Sequence, residues 1–388
     1  MSGALESLPD AVWSAEGTTP DAIEGALRDL VKERHGEGGT LAPSRALNMI
    51  VFVESAYSGE IANRLAAVGR YHASRLVVLS YEASRTRLDA RAVVATDTEP
   101  QHGELGLLRE TVTVEIGERH LDDLVTIVDP LVVTDLATLL WSPHGHPEAV
   151  DELLELSQSV LLDSLDDPSW RAALDRACAL RKQAYVVDLA WLRSTPWRER
   201  VAAAFDSSTM RAELRRIDAV SVRHHPDSTV AAMMLVGWLG SRLGWQMSPL
   251  TAKGAVLTGS AIAPSDGGLT AGATGPSAGQ VDSDDASAHK CPERDHTIAI
   301  KLEQAPEQTV PGIESLAVCT ASGRRVGLKR GTGGLRARSR DEHGREREWT
   351  IVGASRGESG ILGEGIRQSL LRDPTYGPAL AAAEAMTP

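Results

Sequence analysis

The stretch Leu47-Asn-Met-Ile-Val-Phe-Val53 decides the fold class, because it is a short continuous apolar run of the kind found in strands buried on both faces. Beyond it the pattern predicts a helix with Ile61, Leu65 and Val68 turned inward, then a second strand over Arg75–Tyr81. A strand, a helix and a strand in that order imply parallel neighbours joined by a right-handed crossover. Upstream, Thr19 caps and Pro20 starts a helix with Ile23, Leu27, Leu30 and Val31 on one face, stopped by Gly36. Arg91–Ala95 and Glu110–Ile116 alternate as an antiparallel pair would. A helix through Leu121, Leu124, Val125 and Val128 leads to a strand at Ala137–Trp141, and another from Pro147 to Ser157 leads to Val160–Leu162. Residues 1–165 therefore read as one domain, a mixed sheet with helices on its faces.

Residues 166–388 read as a second α/β domain. It opens with a helix over Trp170–Ala184, a Trp-Pro-Trp helical corner and a helix over Ser208–Arg216. A strand at Ala219–Arg223 and a helix at Thr229–Leu243 follow. Gly237, Gly240 and Gly244, in or beside that helix, each cost about 1 kcal/mol in a helix interior relative to Ala, which implies close approach of a neighbouring element. Segment 259–290 is rich in Gly, Ala, Ser and Asp and reads as a flexible, disordered insertion, since it cannot bury enough surface to offset its ordering entropy. Strands at Thr297–Leu302, Ser315–Cys319, Arg325–Lys329, Leu335–Arg340 and Glu348–Val352 then form an antiparallel meander with Gly-containing turns. A final helix around Ile361–Leu371 leads to a helical or frayed tail. The fold class is α/β: two mixed α/β domains, the second with an antiparallel meander and a disordered insertion.

Composition narrows the function. A net charge of −13 over 388 residues argues against general nucleic-acid binding, which rests on clustered Lys and Arg. No apolar run approaches the length of a membrane span, and the first residues lack the basic head and apolar core of a signal peptide, so a cytoplasmic protein is expected. Three Cys, at 178, 291 and 319, fit reduced thiols and no disulfide scaffold. Cys178 and Cys319 read as small buried hydrophobes, and Cys291 as the exposed one and the candidate thiol switch.

Two clusters carry candidate chemistry. The first is Asp188-Leu-Ala-Trp-Leu-Arg-Ser-Thr-Pro-Trp-Arg-Glu199, where Trp191 and Trp197 flank a corner and Arg193 and Arg198 lie close by. It reads either as a Trp-lined corner packed into the core or as a Trp/Arg surface that recognises another protein. The second is the meander. Arg336, Arg338 and Arg340 recur at a spacing of two, so a strand projects them on one face, and Arg324, Arg325, Lys329 and Arg330 lie one hairpin earlier. This is either a solvated, salt-bridged face or a basic strip that docks an acidic partner or a phosphorylated ligand. Gly357–Gly365 matches neither a dinucleotide fingerprint nor a P-loop, and Glu358 and Glu364 would repel an anion. His144-Gly-His146 lacks the further ligands a zinc site needs. No catalytic motif, cofactor site or metal site is expected.

The pattern from Asp188 to Glu199 resembles the glucose-6-phosphate dehydrogenase assembly protein (OpcA) family. So, in order, do Ser44–Asn48, His72–Leu79, Asp129–Leu136 running to Trp141, and Leu235–Trp245. The resemblance covers most of residues 40–388. It implies a non-catalytic accessory protein that helps glucose-6-phosphate dehydrogenase assemble or reach its active oligomer, in the oxidative pentose phosphate pathway. It also implies thiol control, here through Cys291. A reading of another class stays open: an α/β enzyme or sensor that binds a sugar phosphate through Arg356 or the Arg strip.

Overall fold

A computed structural model of the chain describes residues 10–38, 41–43, 46–68, 74–97, 106–264, 296–353 and 357–388. Its elements run β1 (Ala11–Ala15), α1 (Pro20–Gly38), β2 (Leu41–Pro43), β3 (Leu47–Glu54), α2 (Ser58–Val68), β4 (Ser74–Tyr81), β5 (Asp89–Asp97), β6 (Gly106–Ile116), α3 (Leu124–Val128), β7 (Thr138–Trp141), α4 (Pro147–Leu153), β8 (Ser159–Leu162), α5 (Trp170–Arg181), β9 (Tyr185–Asp188) and α6 (Leu189–Arg193). They continue α7 (Thr195–Ala204), α8 (Ser208–Glu213), β10 (Ile217–His224), α9 (Thr229–Leu243), β11 (Gln246–Met247), β12 (Thr251–Lys253), β13 (Val256–Ala263), β14 (His296–Gln304), β15 (Ile313–Thr320), β16 (Arg325–Gly331), β17 (Gly334–Arg340), β18 (Glu346–Val352), α10 (Gly357–Leu371) and α11 (Tyr376–Ala385). They group into two units: Met1–Leu192 with Arg356–Asp373, and Arg193–Ser355 with Pro374–Pro388.

The sheet of the first unit is ordered β1-β5-β6-β4-β3-β7-β8-β9, with β2 beside β6. Along it β6, β4, β3, β7, β8 and β9 run parallel. Numbered by their appearance in the chain, these strands stand 3-2-1-4-5-6, the doubly wound order of dinucleotide-binding domains. The first of them, β3, lies in the middle, and all its residues from Leu47 to Val53 are buried. That is why its sequence is continuously apolar rather than alternating. The expected antiparallel pair of β5 and β6 extends the sheet on one side. Inside, Arg75 on β4 lies opposite Glu110 on β6. Its Nε donates to Glu110 Oε2 at 2.8 Å and its Nη1 to the Leu131 carbonyl at 3.2 Å, so a buried charge pair ties the two strands.

Two boundaries differ from the sequence reading. The helix expected over Trp170–Ala184 ends at Arg181, and Tyr185–Asp188 forms β9, the sixth parallel strand. The first unit therefore runs past the expected 165/166 division to Leu192, and it also contains α10. At the end of β9, Asp188 is fully buried. Its Oδ1 accepts from Ser164 N at 3.2 Å and Ala190 N at 2.9 Å, and its Oδ2 accepts from the Ser164 hydroxyl. Burial, with Asp163 nearby, pushes this carboxyl up to about 7 against the lowering by those bonds.

The sheet of the second unit is ordered β11-β13-β14-β10-β15-β16-β17-β18, with β12 beside β13. Among its described strands only β10 and β14 pair in parallel. The expected strands are present, but Thr297–Leu302, within β14, lies outside the meander: β10 stands between β14 and β15, and the meander runs from β15 to β18. The insertion expected over 259–290 does not begin at Gly259, because Val256–Ala263 is β13, hydrogen-bonded along its length to β14. Residues 265–290 lie outside the described residues. One face of this sheet carries Val220, Val222, Ile298, Ile300, Leu302, Leu316, Val318, Val326 and Leu328, all buried, and α9 packs on the sheet. The tail is a helix: α11 packs on α9 and buries Tyr376, Ala379, Leu380 and Ala383.

Gly237 lets α9 and α11 approach closely: a Cβ there would stand 2.4 Å from the Ala379 carbonyl oxygen and 3.0 Å from Ala383 N. Helix propensity favours Gly237→Ala by about 1 kcal/mol, but a clash with backbone cannot be relieved by a rotamer. The variant is expected to lose about 1–3 kcal/mol in urea unfolding, and an unchanged midpoint would mean that the helices separate freely. Asp188 gives a pH dependence. The native carboxyl keeps its proton to about pH 7, whereas the unfolded chain releases it near pH ~4. The native state thus binds more protons across that window, and the stability this group contributes falls as pH rises through it. In Asp188→Asn, which can keep the two backbone N–H bonds, that part of the slope should vanish. Parallel wild-type and variant melting curves from pH 5 to pH 8 would contradict this.

Candidate functional site

The turn Gly331-Thr-Gly-Gly334 sets the geometry of the basic meander. Gly331 pairs with Gly334, which leaves a two-residue loop with Gly333 at φ +76°, a value that favours glycine. This register places Arg325 opposite Arg340, Gly327 opposite Arg338 and Lys329 opposite Arg336. Five cations, Arg325, Lys329, Arg336, Arg338 and Arg340, thus share one exposed face, with Arg336 and Arg338 each 61% exposed. Gly327 has no side chain, so the face dips between β15 and β17 into a concavity of about 430 Å³ floored by Ser315, Ala317 and Gly327. Arg336 reaches Glu348 at 3.4 Å, Arg338 reaches Glu348 at 3.2 Å and Glu346 at 3.7 Å, and Lys329 reaches Glu314 at 3.4 Å. Arg325 and Arg340 make no ion pair among the described residues.

The other two basic residues of the strip lie elsewhere. Arg324 pairs with Glu342 at 3.0 Å and is only 18% exposed. Arg330, one residue out of phase with the strip, donates to the carbonyls of Ile313 at 3.2 Å and Pro311 at 3.4 Å. Period-two spacing finds Arg336, Arg338 and Arg340. The cross-strand pairing of Arg325 with Arg340 needs the hairpin register, for which the two-residue glycine turn is the sequence signal.

The Trp/Arg corner divides between the units. Trp191 lies in the first, buried, with its indole N–H donating to Asp373 Oδ2 at 2.9 Å. Trp197, also buried, lies in the second with Arg193 and with Arg198, whose Nη2 donates to Thr195 Oγ1 at 2.8 Å. Cys178 and Cys319 are half-buried rather than buried, and burial pushes the Cys319 thiol up. Cys291 and Arg356 lie outside the described residues.

The strand order of the first unit implies a dinucleotide in the crevice between β3 and β7, where the winding reverses. The residues there do not fit one. The first turn, Glu54-Ser-Ala-Tyr-Ser-Gly59, lacks the glycine fingerprint that lets backbone approach a pyrophosphate. His146 stands 3.7 Å from Glu54 and 3.5 Å from Glu148 and packs on Phe52 at 4.9 Å, while Tyr57 packs on His144 at 4.6 Å. Burial and the carboxylates of Glu118, Glu148 and Glu54 push the Tyr81 phenol up, so the local field is one that repels phosphate. The adjacent cavity of about 490 Å³ has Asp163, Asp166 and Asp167 in its wall, and its Arg176 is engaged by Asp151 at 2.7 Å. No group of three or more metal-ligating side chains occurs among the described residues, and no described helix is long and apolar enough to cross a membrane. Sequence reasoning names His144 and His146 but not Glu54, Tyr57, Tyr81 or Glu148, which only the parallel strand ends bring together.

Comparison with known proteins agrees with the family resemblance. Two family models match, both named for a subunit of glucose-6-phosphate dehydrogenase: residues 184–380 match that of its C-terminal domain, and residues 65–179 that of its N-terminal domain. A protein of Synechocystis sp. named "Putative OxPP cycle protein OpcA" is 25% identical over 63% of this chain and 52% of its own length. One of the same name from Synechococcus elongatus is 28% identical over 35% of this chain and 32% of its own. The chain thus spans about half or less of the length of the curated relatives it matches. Among solved structures, myo-inositol 2-dehydrogenase from Lactobacillus plantarum aligns over 87% of this chain and 94% of its own, with a TM-score of 0.43 at 11% identity, a likeness too distant to carry an argument. With its C-terminal model covering half of the sequence and its N-terminal model most of the rest, the chain belongs to the OpcA family.

Proposed function

We propose that this chain is a non-catalytic accessory protein of the oxidative pentose phosphate pathway that acts in the cytosol on glucose-6-phosphate dehydrogenase. The match of residues 184–380 to a family model named for a subunit of that enzyme supports the reading most directly. The crevice of the first unit supports the non-catalytic part, since it has the strand order of a dehydrogenase domain without the residues to hold a dinucleotide. A binder without catalysis raises activity only by preferring the active form of its partner, and tenfold activation needs a preference of about 1.4 kcal/mol. We assign partner contact to the exposed strip of Arg325, Lys329, Arg336, Arg338 and Arg340. The buried Trp191 and Trp197 are assigned to folding.

The test is a dehydrogenase assay with the enzyme of the same organism, with and without this protein, alongside light-scattering mass. A higher rate and a co-eluting complex are expected. No change in either would reject direct action on the mature enzyme. Thermal stabilisation of this chain by glucose 6-phosphate alone would instead support direct sugar-phosphate binding.

A further inference from the structure

Among the described residues the second sheet has one face of small, polar and charged side chains, most of them partly or fully exposed, which leaves it bare. Across its strands, Thr258, Lys301, Ser221, Ala317, Gly327, Arg338 and Glu348 form a single cross-strand row on that side. A neighbouring row runs through Ala299, Ala219, Cys319, Arg325 and Arg340. The residues that alternate with them are the buried apolar ones. The cations are gathered at β16 and β17, and they are placed against their own interest. Like charges directly opposite on a sheet are destabilising, yet Arg325 faces Arg340 and Lys329 faces Arg336. Glu314 and Glu348 relieve the second pair. The first has only Glu346, which stands opposite Arg340 on β18 but reaches Arg338 at 3.7 Å, and among the described residues no carboxylate comes within ion-pair distance of Arg325 or Arg340. A local conflict left only partly relieved in this way marks a position kept for something other than stability.

We infer that this bare face is a docking surface for an acidic protein surface, with Arg325 and Arg340 as the pair whose repulsion the partner's carboxylates relieve. On the function proposed above, on which the identity of the partner rests, that surface belongs to the dehydrogenase. Seven strands at ~4.8 Å spacing and about five residues of each span roughly 500 Å², over half of the ~800 Å² that each side of a standard interface buries. The cations are exposed and the concavity is open, whereas a small-ligand site encloses most of its ligand. A two-fold dimer through this face fits poorly, because it would set the cations of one copy against the same cations of the other and leave Arg325 and Arg340 covered without partners.

The test measures stability and binding on the same variant, Arg340→Glu. The introduced carboxylate would oppose Arg325 on one side and Glu346 on the other, so the free chain should melt close to the wild-type temperature, while its affinity for the dehydrogenase should fall at least tenfold. Wild-type affinity should also weaken steeply from about 0.1 to about 0.5 M salt, a reading that needs no variant to fold. Unchanged affinity of Arg340→Glu, or wild-type affinity insensitive to salt, would overturn the docking face while leaving the accessory role standing. Absence of any complex with wild-type protein would take both down. Glucose 6-phosphate alone raising the melting temperature of wild type but not of Arg340→Glu would assign the strip to a small anion and overturn docking.

Discussion

A carboxyl group sealed in an apolar interior persists only where its lone pairs are met by donors, and Asp188 occupies such a place. Its bonds to Ser164 hold the loop that leaves β8, and its bond to Ala190 N starts α6. One side chain therefore closes the edge of the first sheet and anchors the helix with which this stretch of the unit ends, at Leu192. Replacement by an apolar residue would orphan the Ser164 and Ala190 amides together. The Asp at the head of the family motif is thus a structural residue, and the two Trp that follow it are core residues of separate units.

Much of the fold is legible because burial dictates composition. Leu47–Val53 has to be continuously apolar to sit in the middle of a parallel sheet, and Thr229–Leu243 has to be apolar all round to lie between sheet and α11. β9 escapes a reading of the sequence because only Lys182, Gln183 and Ala184 separate it from α5, with no Gly or Pro to mark the end of the helix. β13 escapes for the opposite reason: Gly259, Ser260 and Ala261 carry the composition of a flexible segment, while ladder hydrogen bonds to β14 hold it in place. The site divides in the same way. Period two gives three arginines of the strip, but a face is a property of register between strands. Nearness in sequence therefore gathers Arg330 and Arg324 into the strip, and the register sends both elsewhere. The cluster around His146 gathers residues from β3, β4 and α4 and has no linear signature at all.

The first unit shows how far fold and chemistry separate. Six parallel strands in the doubly wound order place their carboxyl ends around a crevice, and in a dinucleotide-binding domain glycine and a helix N-terminus complete it. Here the turn carries Glu54 and Tyr57, and His146 bridges Glu54 and Glu148 across the mouth. The order of strands is set by hydrophobic packing and crossover handedness, which ask nothing of the residues at the strand ends. Those ends are free to change, and with them the function, while the sheet stays as it is.

Charge, rather than fold, distinguishes the second unit. A chain with a net charge of −13 repels an acidic partner over most of its surface. At a Debye length of about 8 Å that repulsion acts only near contact, where local rather than net charge decides the outcome. On the face of β16 and β17 the local sign reverses, and it does so on a sheet whose register gathers Arg325, Lys329, Arg336, Arg338 and Arg340 side by side. A flexible basic tail would collapse onto the acidic body of its own chain. A sheet cannot, so Arg325 and Arg340 stay exposed on it, and on the proposed docking an acidic partner would have one orientation in which approach is favourable. Rigidity of the strand pairing therefore converts an ordinary count of charges into a direction of approach.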